Sequence, residues 1–348
     1  MNNELYTYTV DDLASLMKEW HQPAFRGKQI HEWIHRHHVS SYSEMTNLPL
    51  PLRQRLAERF PDQSLVIAHT SLSKDGSRKY LIRLNDGNLV ETVGLPHFNP
   101  DGSLGRLSVC VSSQVGCPME CAFCATGREG LTRNLTAAEI AQQVALVQED
   151  FNRRVSNVVV MGQGEPFLNY DEVLQALRAL NSRDDMNIGA RHITLSTCGI
   201  IDGIEKLSRE PEQFTLAVSL HSAVQFTRDS LMPRVASQPL PDLKRALATY
   251  NRETHRRVSL EYLLLDGVND DDEHLDALID FCKGLLVHVN LLPMNPVEGA
   301  IFQPSSSHTA QRWIEELNQR GIETTMRVSR GSDINGACGQ LKNSSFVS

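Results

Sequence analysis

The sequence predicts an α/β fold: an open, partial (β/α)6 barrel preceded by a small N-terminal helical domain and a β extension. Three observations carry this. From Leu107 onward, six apolar runs of strand length alternate with helical patterns, which is the signature of a parallel sheet with right-handed crossovers. Six such units are too few to close an eight-stranded barrel. Ahead of them, residues 64–93 alternate with period two, while residues 1 to about 60 show only helical spacing.

The elements follow in order. Apolar residues recur at helical spacing in Leu13, Leu16, Met17 and Trp20, then in Ile30, Trp33 and Ile34. Residues 48–60 read as a further helix, entered through Pro49 and Pro51. Strands are expected over 64–70, 80–84 and 89–93, joined by turns at Asp75-Gly76 and Asp86-Gly87, since Asp-Gly suits tight hairpin turns. Residues 96–103, with Pro96, Pro100 and Gly102, read as an irregular loop. The barrel strands are expected over 107–112, 157–161, 192–196, 214–220, 258–264 and 287–292. One intervening helix opens on the capping box Thr136-Ala-Ala-Glu139. A helix over 309–320 and a strand over 323–329 close the chain. The pattern divides into a helical domain over 1–62, a β-hairpin extension and linker over 63–103, and the partial barrel with a C-terminal loop over 104–348.

Composition bounds the function. With 41% hydrophobic residues among 348, a sizeable core is expected, and no apolar run approaches the ~20 residues of a membrane span. The first residues carry neither a basic nor an apolar stretch, so no secretory signal is expected. Seven cysteines, an odd number, point to thiol chemistry in a reducing, cytoplasmic setting rather than to a disulfide scaffold. The net charge of -8 speaks against a broadly basic nucleic-acid binder. Residues 21–83 depart from this balance, with ten Lys/Arg against five Asp/Glu and with His21, His31, His35, His37 and His38 among them. Such a segment either meets phosphates or is the solvated face of ordinary helices.

Cys117, Cys121 and Cys124 form a C-x-x-x-C-x-x-C run. Three thiolates so spaced can hold three irons of a 4Fe–4S cluster, which normally takes four cysteines, leaving one iron open to a small molecule. A zinc clip would want a fourth ligand at finger-like spacing. The next cysteine is Cys198 and the next histidine His192. Polar or small segments also fall where the strands should end: Gly162–Pro166, Ser196–Gly199, Ser219–His221 and Pro293–Pro296. In a parallel sheet that rim is where ligands bind.

The three-cysteine spacing resembles that of radical S-adenosylmethionine (SAM) enzymes. Within them, several segments resemble the RlmN/Cfr family across nearly the whole chain: 110–117, 124–127, Arg133-Asn-Leu-Thr136, 162–166, Ser219-Leu-His221, 333–341, and the N-terminal 23–30 and 44–49. The resemblance implies a radical-SAM partial barrel, an RNA-contacting helical domain, and a 4Fe–4S cluster on Cys117, Cys121 and Cys124. It also implies SAM as cofactor. The expected activity is methylation of adenosine carbon 2 in 23S rRNA, at the peptidyl-transferase centre, and in tRNA anticodon loops. A Cfr-like methylation of carbon 8 uses the same cysteines and is the alternative. A low-potential donor such as flavodoxin is the expected electron source.

Residue by residue, the resemblance makes Cys338 the carrier of a methyl group taken from one SAM. A radical from a second SAM removes a hydrogen from it, and the carbon then adds to the base. Cys110 attacks Cys338, giving a transient disulfide and free methylated RNA. Glu91 accepts the proton of the target carbon. Gly164, Glu165, Ser196, Ser219, Leu220, His221 and Asn295 match the SAM contacts. Taken without the resemblance, Cys110 reads as a buried strand residue, Glu91 as an exposed strand carboxylate, His221 as a core histidine and Asn295 as a turn residue. Cys198 and Cys282 have no counterpart and read as buried structural thiols. The chain departs from the family pattern in Gln163, where Met is usual, in the length of the 96–103 segment, and in Gly336, where Ala is usual.

Overall fold

The structure, a computed structural model, describes residues 3–35, 39, 41–60, 65–297 and 301–342. Helices α1 (Val10–Glu19), α2 (Phe25–His35) and α3 (Leu50–Arg59) make up the helical unit. Thr9 and Asp12 form a reciprocal capping box that starts α1. The apolar stripes meet in a core of their own that includes Leu13, Met17, Trp20, Ile30, Ile34, Leu52 and Leu56. The boundary expected at 62/63, His37, His38 and the first residue of the strand expected at 64 lie outside the described residues.

Strands β1 (Val66–Leu72), β2 (Arg78–Arg83), β3 (Leu89–Phe98) and β4 (Leu104–Cys110) pair antiparallel in order. A short ribbon, β5 (Gln114–Gly116) with β6 (Leu131–Asn134), brackets the three-cysteine segment. Beyond it come β7 (Asn157–Val160), β8 (Ile193–Thr197), β9 (Thr215–Ser219), β10 (Val258–Leu264), β11 (Val287–Pro293) and β12 (Thr324–Met326). These six extend the sheet from β4, every pair parallel. Helices α4 (Ala137–Asp150), α5 (Tyr170–Asn181), α6 (Ile201–Leu207), α7 (Gln225–Leu231), α8 (Leu240–Thr254), α9 (Asp272–Cys282) and α10 (Ser307–Gln319) connect the strands. The result is one ten-stranded sheet whose end strands β1 and β12 do not pair, so the barrel is open. This bears out the expected fold class. Among the described residues no helix is long and apolar enough to cross a membrane.

The structure corrects the sequence reading of one segment. Residues 96–103 are not an irregular loop. Strand β3 runs on to Phe98 and returns through a tight turn, closed by Asn99 N–H donating to Ser103 O at 2.8 Å, into β4. Pro96 sits inside β3 because β2 pairs only as far as Gly94. Past that point the β2-facing edge is unpaired, and a missing N–H costs nothing there. The β extension is continuous with the barrel sheet, since β3 pairs with β4.

Candidate active site

The strand-end segments open on one cavity of about 560 Å³. Its walls include Cys110, Cys117, Cys121, Cys124, Gly164, Glu165, Ser196, Ser219, His221, Asn295 and Cys338. Two residues expected in the site do not line it. The Leu220 side chain is fully buried in the main core. Glu91 is 1% exposed and lies behind the wall, not on an exposed strand face.

The sheet register explains who meets whom. Cys110 pairs across β3/β4 with Val93, and Glu91 is two residues along from Val93. Glu91 and Cys110 therefore stand diagonally on the same sheet face. Leu81 is opposite Glu91, which puts Lys79 on that face too. Lys79 Nζ reaches Glu91 Oε1 at 2.9 Å. Burial raises the Glu91 pKa, and Lys79 pulls it back. Two further contacts hold the Glu91 backbone: its N–H donates to Gln163 Oε1 at 3.2 Å, and its carbonyl accepts from Ser112 Oγ at 2.6 Å.

The C-terminal loop that carries Cys338 is laid across the cavity by contacts from distant parts of the chain. Ser73 Oγ and Lys74 N–H donate to the Asp333 carboxylate at 2.6 and 3.1 Å. Gly331 N–H donates to Asp75 Oδ2 at 3.0 Å. Asn295 Nδ2 donates to the Cys338 carbonyl at 3.1 Å. Ala125 N–H donates to Gly339 O at 2.8 Å, tying the loop to the three-cysteine segment. Lys342 N–H donates to Glu91 Oε2 at 2.7 Å.

All seven cysteines are free thiols. Burial pushes Cys110 up to about 12, with Cys338 acting the same way and Arg327 against it. Arg327 in turn is raised chiefly by Cys338. One cation thus faces both thiols, and the sequence reading missed it. Cys117 is pushed up to about 12 and Cys124 is raised, both by burial. Three half-buried thiols side by side on one wall form a donor set that suits an iron–sulfur cluster. Cys198, read as a structural thiol, lines the same cavity and hydrogen-bonds Cys121. Cys282 is buried, as expected.

The rim is braced from below by Arg228, which is fully buried. It donates to the carbonyls of Ser219 at 3.0 Å, Cys198 at 2.6 Å and Leu220. Burial lowers its pKa to about 10, which leaves it charged at neutral pH. His221, in a left-handed backbone conformation (φ 55°), accepts Leu263 N–H at Nδ1 at 3.0 Å. Burial first, then Arg228, lowers it to about 3, so the ring is neutral with its proton on Nε2. Glu165 accepts Phe167 N–H at 3.0 Å and Cys198 N–H at 2.7 Å, and burial raises its pKa. Gly164 has φ 104°, and a Cβ there would meet Ser113 Oγ at 2.6 Å. The Gly162–Pro166 turn therefore needs glycine to pack on the 112–114 segment, independently of any ligand.

The basic 21–83 segment is not one surface. Lys79 is buried against Glu91, and Arg78 is paired with Asp150 at 2.6 Å. Lys28, Arg55, Arg59, Lys74 and Arg83 remain exposed.

Residues 3–61 match the family model of the ribosomal RNA large subunit methyltransferase N-terminal domain, and residues 111–279 match that of the radical SAM superfamily. The chain is 41% identical over 339 residues to a probable dual-specificity RNA methyltransferase RlmN of Clostridium novyi (strain NT), covering 97% of each. It is 45% identical over 335 residues to the protein of the same description from Acaryochloris marina (strain MBIC 11017), covering 96% of this chain and 93% of that one. The crystal structure of a radical SAM methyltransferase from Sphaerobacter thermophilus superposes with a TM-score of 0.90 at 43% identity, covering 97% of this chain and 98% of that one.

Proposed function

The chain belongs to the RlmN family of radical SAM RNA methyltransferases, and from that premise we propose that it methylates carbon 2 of adenosine in 23S rRNA, at the peptidyl-transferase centre, and in tRNA anticodon loops. One observation supports the thiol-carried methyl transfer in this reading: a second pair of thiols, Cys110 and Cys338, lines the same cavity as the three-cysteine segment. The cluster-binding role alone does not require that pair.

Radical SAM enzymes use a 4Fe–4S cluster and SAM. Here Cys117, Cys121 and Cys124 would hold the cluster, and cluster and cofactor together supply, when bound, a one-electron route to a carbon radical. Gly164, Glu165, Ser196, Ser219, His221 and Asn295 stand around the cavity in positions to orient the cofactor. Leu220 would take part through its backbone, since its side chain faces the core.

This chain's own residues do the rest. Cys338 carries the transferable carbon on Sγ, and that carbon becomes bonded to the base. Cys110 Sγ attacks Cys338 Sγ as the thiolate. The S–S bond forms as the S–C bond breaks, and the electron pair of that bond stays with the carbon, which takes up a proton to become the methyl group. Arg327 offsets the cost of ionising Cys110 in a buried site. Glu91 takes the proton of the ring carbon, and the segment at Lys342 lifts from its carboxylate to let the base approach. Both thiols are then regenerated by a two-electron thiol reductant, which places the enzyme in a reducing, cytoplasmic setting. A low-potential donor such as flavodoxin supplies single electrons. The target adenosine enters unstacked, because a stacked base cannot reach a strand-end cavity. Analysis of methylated nucleosides from an rRNA fragment tests the proposal.

A further inference from the structure

Away from the cavity, three side chains from two parts of the chain converge. His31 and His35 stand one turn apart on α2, so their rings leave the same helix face. Asp185 lies in the turn between α5 and β8. Its Oδ1 is 2.6 Å from His31 Nε2 and 3.4 Å from His35 Nε2. The three donor atoms lie within 4.8 Å of one another. The side chains are 4%, 6% and 5% exposed, so water does not solvate them.

Hydrogen bonding does not account for this meeting. His31 Nε2 and Asp185 Oδ1 are close, yet neither atom makes a hydrogen bond of acceptable angle. A buried polar atom left this way costs about 1–3 kcal/mol. The two imidazole rings are nearly stacked, with centroids 4.3 Å apart and planes 31° apart, and both aim the same nitrogen at one oxygen. A single cation between them satisfies His31 Nε2 and Asp185 Oδ1 together and lies within reach of His35 Nε2.

We propose that His31, His35 and Asp185 bind a divalent zinc-class cation that clamps α2 of the helical unit to the barrel. Metal–donor bonds of about 2.0–2.2 Å in a tetrahedral site put donors roughly 3.4 Å apart. His35 and Asp185 already stand at 3.4 Å, and His31 need only draw back by less than about 1 Å. Two imidazoles and one carboxylate suit zinc, whereas calcium and magnesium want oxygen donors. The Tyr6 ring, its centroid 5.5 Å from that of His35 in a T-shaped arrangement, packs on one side. Nearby, Gln175 Nε2 on α5 donates to Thr7 Oγ1 at 3.3 Å, a direct bond between the two parts the cation would join.

The test uses the full-length protein with its iron–sulfur cluster in place, loaded with zinc sulfate and desalted into metal-free buffer. Zinc and iron are counted by mass spectrometry, and the zinc ligands are read from the X-ray absorption edge. The proposal expects about one zinc per chain with only nitrogen and oxygen donors. Asp185→Asn and His31→Gln should each lower retained zinc at least roughly tenfold without changing iron content. Zinc should also raise the unfolding temperature of the unsubstituted protein and leave that of Asp185→Asn unmoved. Failure of the unsubstituted protein to retain zinc overturns the proposal. So does a shell containing sulfur, which places the ion on the cysteines, or equal retention by the variants.

Discussion

Lys79 Nζ lies 2.9 Å from Glu91 Oε1, and the two side chains are 5% and 1% exposed. Burial raises the Glu91 pKa, and Lys79 is the largest influence holding it down. A carboxylate that accepts a proton must be ionised, so activity is lost as pH falls through the Glu91 pKa. Replacing Lys79 by Met leaves burial unopposed, and Glu91 then keeps its proton to higher pH. The acid limb of the methylation pH profile should move to higher pH in Lys79→Met and stay near its place in Lys79→Arg. Glu91→Gln should lower kcat by roughly 10²–10⁴. An acid limb unmoved in Lys79→Met contradicts the role given to the pair.

Gln163 departs from the pattern that the resemblance implied, and its side-chain oxygen accepts the Glu91 N–H. Methionine has no comparable acceptor. Gln163→Met should therefore leave a buried N–H unmet and cost about 1–3 kcal/mol. Thermal unfolding measures the cost, and kcat should fall more than the KM for RNA rises, because it is the general base that is displaced.

Arg228 holds the carbonyls of Cys198, Ser219 and Leu220 with one guanidinium. Lysine keeps the charge but not the fork. Arg228→Lys should cost on the order of 3 kcal/mol or more, and Arg228→Met at least as much. Both should lower the iron content after reconstitution, because the rim segment carrying Cys198, which hydrogen-bonds Cys121, loosens. Full stability in Arg228→Met would remove the bracing role.

Cys338→Ala should abolish RNA methylation while reductive SAM cleavage persists. Cys110→Ala should stop one step later, with RNA covalently attached to the protein on a denaturing gel. Methylation by Cys338→Ala would rule out a carrier thiol.

Lys28, Arg55 and Arg59 are exposed cations of the helical unit within the basic 21–83 segment. If they meet phosphates, changing all three to Gln should reduce the salt slope of RNA affinity by roughly 2. An unchanged slope would place the phosphate contacts elsewhere.

What the sequence made legible was local in the chain or periodic along it. The three cysteines lie within eight residues, and the strand-end segments declare themselves because each follows an apolar run. What stayed hidden depends on register or on long-range packing. Glu91 read as exposed because nothing in Val90-Glu-Thr-Val93 reveals that Lys79 stands diagonally across a hairpin. Nothing in the sequence singles out Arg228, because the carbonyls it gathers come from the ends of different strands. Pro96 suggested a loop, and only the short reach of β2 explains how a strand admits it. His31 and His35 read as part of a basic segment, since Asp185, which faces them, is some 150 residues on.

The most direct test is nucleoside mass spectrometry on an rRNA fragment treated with the anaerobically reconstituted protein, SAM and a low-potential reductant. The account predicts 2-methyladenosine. Appearance of 8-methyladenosine instead would contradict the regiochemistry, and the absence of any methylated adenosine would contradict the proposed substrate.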